Sequence, residues 1–140
     1  MRVRFAQLCD RVEIDAAAER PIDHSALLGV WVNSNPETKG IARLAIAEVD
    51  GKPKLEVQAI GPDSLINWGA TDITVFASSP SSRKGVGFTC RYDFGFAETR
   101  LQGMILKGLA VLSQFHIFKD DSQRVDYFVR EYFALEHGLY

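Results

Sequence analysis

Cysteine is scarce in this chain: 140 residues carry two, Cys9 and Cys90. Two cannot build a disulfide framework, so both are read as reduced thiols. An excess of either charge is also missing. Lys and Arg number 16 against 18 Asp and Glu, a net charge of -2, so the basic footprint of a nucleic-acid binder is not there. No apolar run approaches the roughly 18 residues needed to span a bilayer. Met1-Arg2-Val3-Arg4-Phe5 leads into Cys9-Asp10-Arg11 rather than an apolar signal core, and the C-terminal Glu136-His137-Gly138-Leu139-Tyr140 matches no lipidation signal. The expectation is a cytoplasmic protein with no membrane and no nucleic-acid partner. The three histidines, His24, His116 and His137, stand at no metal-ligand spacing, so no metal and no cofactor is expected. A Gly-x-Ser-x-Gly elbow is absent, and Gly85-x-Gly87 precedes no helix that would make it a phosphate loop.

What is present is apolar content of 46% in a length suited to one core. Residues 1–24 read as an N-terminal arm. Val12 to Ile14 suggests a short strand, and Ala16-Ala17-Ala18-Glu19 one helical turn stopped by Pro21. The arm is expected to pack across a barrel opening or along a neighbouring subunit, and the second choice would make a homodimer. Residues 25–140 form the main domain. There, short apolar runs recur about every ten residues, separated by turn residues, which predicts an all-β sandwich or barrel. Strands are expected at 28–34, 41–49, 54–60, 72–78, 85–94, 97–106, 109–118 and 123–134. Asp50-Gly51 and Lys107-Gly108 suit tight hairpins.

Alternation assigns the faces. Val86, Phe88, Cys90, Tyr92 and Phe94 share one side of their strand, and Gly87, Thr89, Arg91 and Asp93 the other. Leu55, Val57 and Ala59 oppose Lys54, Glu56 and Gln58. One dry face and one wet face mark an antiparallel meander. Eight such strands most simply close on themselves, which removes the exposed edges. The expected fold is therefore an eight-stranded antiparallel up-and-down barrel, with an open sandwich as the alternative. An eight-stranded barrel holds side chains or one small ligand.

Gly29-Val30-Trp31-Val32-Asn33 opens the first strand. This Gly-x-Trp resembles the lipocalins and their relatives, the avidins and fatty-acid-binding proteins; the avidins have Gly-x-Trp-x-Asn. Arg130-x-Tyr132 in the last strand is similar to the Arg-x-Tyr pair with which fatty-acid-binding proteins hold a ligand carboxylate. It is also similar to the lipocalin habit of stacking a last-strand Arg over the first-strand Trp. The resemblance implies a lipocalin-like barrel that binds a small, largely apolar molecule with a polar or carboxylate end. Two departures stand against it. Asn35 to Gly40 is too short for the lid of the fatty-acid binders, and the later-strand tryptophans of avidins have no counterpart.

The last strand holds a conflict. Its odd set is Val125, Tyr127, Val129, Glu131 and Phe133; its even set is Arg124, Asp126, Phe128, Arg130 and Tyr132. Apolar counting turns the odd set inward, with Glu131, whereas the resemblance turns the even set inward, with Arg130 and Tyr132. Either way one ionisable group points at the lumen and needs a partner or a wet mouth. The expected ligand-binding residues are Trp31, Asn33, Phe88, Tyr92, Phe94, Arg130 and Tyr132, and Glu131 is the candidate catalytic residue. Two other functions stay open: a cyclase or isomerase of a natural-product pathway using the cavity, and a non-catalytic scaffold whose barrel is filled.

Overall fold

The structure, a computed structural model, describes residues 22–136. One turn of 3-10 helix at Ser25–Leu27 leads into nine strands: β1 (Gly29–Asn33), β2 (Ile41–Val49), β3 (Lys52–Ile60), β4 (Leu65–Asp72), β5 (Thr74–Ala77), β6 (Gly85–Asp93), β7 (Ala97–Leu106), β8 (Leu109–Phe118) and β9 (Tyr127–Leu135). They form one sheet in the order β4-β3-β2-β1-β9-β8-β7-β6-β5. Every pairing is antiparallel, so β4 and β5 at the two ends run the same way. Only Ile73 separates them in the chain. The two pieces act as one long strand that pairs with β3 first and with β6 afterwards. The result is a nearly closed up-and-down barrel, and the single continuous sheet replaces the sandwich alternative.

The count is nine strands rather than eight. The additional one, β4, takes up 65–69 of the segment 63–69 that sequence patterning leaves irregular. Its pairing with β3 shifts register between Glu56 and Gln58, and Gly69 there adopts φ 93°. A bulge of this kind breaks the period-two pattern on which strand reading depends. At the other end, 123–126 lies outside β9; Gln123 takes φ 64°, and Asp126 Oδ1 accepts the Phe118 backbone N–H at 2.9 Å. The two predicted hairpins form. Asp50 and Gly51 have φ 54° and 80°, and Lys107 and Gly108 have 53° and 81°. Two successive left-handed residues match the twist of the flanking strands.

The barrel is solid at one end. Leu27, Trp31, Leu44, Ile46, Leu55, Val57, Phe88, Leu101, Leu112 and Phe133 pack into one buried cluster. Trp31 Nε1 donates to the Leu27 carbonyl at 2.9 Å, which ties the 3-10 turn under β1 as a plug. Phe88 fills the space over Gly103, where an added Cβ would lie 2.2 Å from its ring. The seam between β4 and β6 is closed by Tyr92, whose hydroxyl donates to the Gly69 carbonyl at 2.7 Å. Among the described residues, no helix is long and apolar enough to cross a membrane. Of the expected arm, only 22–24 falls within the described residues; Asp23 bridges Lys84 in parallel just before β6. The remainder of that reading, with Cys9, lies outside them.

Candidate functional site

Among the described residues, the other end of the barrel is open. The loops after β1, β6 and β8, with the adjoining ends of β3 and β4, surround a cavity of about 870 Å3. Its walls are largely apolar and aromatic: Ile60, Ile66, Trp68, Phe94, Phe96, Phe118, Tyr127 and Val129. Its polar side chains converge from three strands and one loop. Strand β7 brings Thr99, β8 brings Gln114 and His116, β9 brings Glu131, and the loop after β1 brings Thr38.

Glu131 faces inward because its set is the inward one. Leu112 pairs with Glu131, Gln114 with Val129, and Ala110 with the fully buried Phe133. The apolar count therefore prevails over the Arg-x-Tyr resemblance, for the ordinary reason that burying Val129 and Phe133 outweighs placing Arg130 in the dry interior. Three neutral donors hold the Glu131 carboxylate. Asn33 Nδ2 and Thr38 Oγ1 reach Oε2 at 2.9 and 3.1 Å, and Gln114 Nε2 reaches Oε1 at 2.8 Å. Among the described residues no Lys, Arg or His forms an ion pair with it.

Behind this carboxylate stands a hydrogen-bonded chain. Gln114 spends its amide N–H on Glu131, so its Oε1 accepts from His116 Nε2 at 3.1 Å. His116 Nδ1 then accepts from the Thr99 hydroxyl at 3.0 Å. Burial pushes the His116 pKa below its usual value, and the nearby Glu131 charge opposes that shift. Neutral imidazole fits this pattern, with one nitrogen donating and the other accepting. The Tyr127 ring stacks on His116 at 4.4 Å between centroids and 17° between planes, which fixes the imidazole orientation.

The expected site residues divide into three groups. Phe94 lines the cavity. Asn33 lies beneath it, and its functional groups are committed. Nδ2 donates to the Ile41 carbonyl at 2.9 Å as well as to Glu131, and Oδ1 accepts the Asn35 N–H at 2.8 Å. It sets the loop and holds Glu131. Trp31, Phe88 and Tyr92 are 2, 2 and 7% exposed and belong to the solid half and the seam rather than to an open lumen. Arg130 and Tyr132 correct the expectation most sharply: both stand on the outer face. Arg130 lies 5.8 Å over the Phe128 ring instead of on Trp31, and Tyr132 is 48% exposed.

Gln114, His116, Thr99 and Thr38 were not foreseen. One signal was legible: Gln114 and His116 interrupt the inward set Ala110, Leu112 and Phe118 of β8, where only apolar residues are needed for packing. Thr38 and Thr99 give no such signal, since threonine suits loops and strands alike. Comparison with protein-family models, curated proteins and solved structures finds no match to this chain.

Proposed function

We propose that the open end of the barrel binds a small, largely apolar molecule whose polar end meets Glu131. One observation carries this reading: an apolar-walled cavity of about 870 Å3 is lined by the Glu131 carboxylate, which neutral donors hold. The volume lies within the roughly 300–1,000 Å3 of small-molecule sites, and a few convergent polar groups in an apolar wall are what fixes a ligand's orientation. The lipocalin-like character suggested by Gly29-x-Trp31 belongs to this proposal too, supported by a barrel plugged at the Trp31 end and open at the other. The test is isothermal titration with 1-octanol. Saturable 1:1 binding is expected, and Val129→Trp, which fills the cavity from its wall, should abolish it without loss of fold. Unchanged binding by that variant overturns the reading.

A second reading is catalysis of an isomerisation or cyclisation by proton transfer. The Thr99–His116–Gln114–Glu131 chain favours it, because a carboxylate beside an apolar cavity can take a proton from a bound substrate while the chain holds its orientation. Under that reading Glu131→Gln loses turnover and keeps substrate binding.

A further inference from the structure

Resting on the binding reading above, we infer that the polar end of the ligand is a cation: the mouth is built for an alkyl- or arylammonium group rather than a carboxylate. Three observations converge. The first is a charge that nothing positive pairs with among the described residues. Glu131 is held by Asn33, Thr38 and Gln114, all neutral, and burial disfavours the charged form of His116. An anion in an apolar cup is costly unless something positive completes it. A ligand ammonium would do so, with its N–H groups donating to Glu131.

The second is the balance of the surrounding charges. Among the described residues, the other charged side chains lining the mouth are Glu37, Lys39 and Arg124. Arg124 is already paired, its Nη2 donating to Asp120 Oδ2 at 2.8 Å. Glu37 and Lys39 offset one another on the exposed loop. With Asp120 counted alongside its partner Arg124, these described groups sum to -1, and a carboxylate reaching Glu131 would meet repulsion there.

The third is the rim. Aromatic faces attract cations through the ring quadrupole. This rim already does so with one of the chain's own groups: the Arg124 guanidinium lies 4.4 Å over Phe118 and 5.3 Å over Phe96. Trp68 and Phe94 meet edge to face at 5.1 Å in the same lining, and Tyr127 stands between Phe118, at 6.2 Å, and His116, at 4.4 Å.

The experiment compares three ligands of one chain length: octylammonium, 1-octanol and octanoate. Binding is measured by titration calorimetry and by Trp68 fluorescence, with the outer-face variant Glu56→Gln as a control. The wild type should bind octylammonium at least tenfold more tightly than 1-octanol, and octanoate most weakly. Glu131→Gln should bring octylammonium down to the level of 1-octanol and leave the alcohol within threefold of wild type. Glu56→Gln should preserve the full preference. Equal affinities in the wild type, or a preference for octanoate, overturn the cation assignment and leave the binding reading standing, since 1-octanol still binds. Failure of all three ligands overturns the binding reading itself. A preference that survives Glu131→Gln places the cation elsewhere and also overturns the inference.

Discussion

Replacing Gly103 with alanine probes the plug that makes one end of the barrel solid. The new methyl would stand 2.2 Å from Cε1 and 2.4 Å from Cζ of Phe88. Carbon atoms in contact settle near 3.5–4.0 Å, so the ring would have to move by more than about 1 Å. Phe88 is 2% exposed and is enclosed by the same cluster that includes Leu101 and Leu112, so it has nowhere to go without displacing them. Overpacking of this kind costs about 1–3 kcal/mol, and a single Gly103→Ala change should lie at the upper end of that range. For a domain of this size the melting temperature should fall by roughly 5–10 °C. Chemical denaturation monitored by circular dichroism gives the free energy directly. The decisive arm is the double variant. Phe88→Ala alone should cost about 3–5 kcal/mol, because it empties the same space. In Gly103→Ala/Phe88→Ala the methyl no longer clashes, so the pair should be more stable than the sum of the single losses by more than about 1 kcal/mol. Costs that simply add, or a Gly103→Ala variant within about 0.5 kcal/mol of wild type, would refute the packing described for the closed half.

Trp31→Phe should cost about 1–3 kcal/mol by denaturation, because the buried Leu27 carbonyl loses its indole donor at 2.9 Å. Cys90, whose thiol burial pushes up to about 12, should label slowly with a thiol reagent at pH 8 in the native state and rapidly in denaturant. Since the folded Cys90 keeps its proton where the unfolded thiol loses it, its contribution to stability is full below about pH 9 and declines as pH rises toward 12. His116 has the opposite sense. Its folded pKa is lowered from 6.5, so its contribution is present above pH 6.5 and is lost as pH falls through the folded value. NMR titration should show it protonating below pH 6.5, and Glu131→Gln should lower its pKa further by removing the one charge that raises it.

Most of the architecture was legible because alternation and turn chemistry agree along the chain. The Asp50-Gly51 and Lys107-Gly108 hairpins, the faces of β3 and β6, and the meander order all follow from period two and from glycine at left-handed turn positions. Strand β4 escaped because Gly69 and the register shift opposite Val57 break that period. The site was legible only in part, for a different reason. Sequence locates a residue on a face, whereas depth along the barrel axis depends on how the strands stagger. Trp31, Phe88 and Tyr92 do point inward, but at the levels filled by packing, and only Phe94 reaches the open level. Sequence offers Glu131 as one of two inward options but not its network, because Asn33, Thr38, Gln114, His116 and Thr99 are brought together across 98 residues of sequence or fewer by pairing that no local pattern encodes.

A ligand that enters the open end and stops at Glu131 would perturb that end of the barrel alone. The most direct measurement is backbone amide NMR during titration with 1-octanol. Saturable shifts should appear at Trp68, Phe96, Thr99, Gln114, His116 and Glu131, while Leu44, Leu55, Phe88 and Leu112 in the closed half stay fixed. Absence of saturable shifts, or shifts centred on the outer-face residues Met104, Arg130 and Tyr132, would contradict binding at the open end.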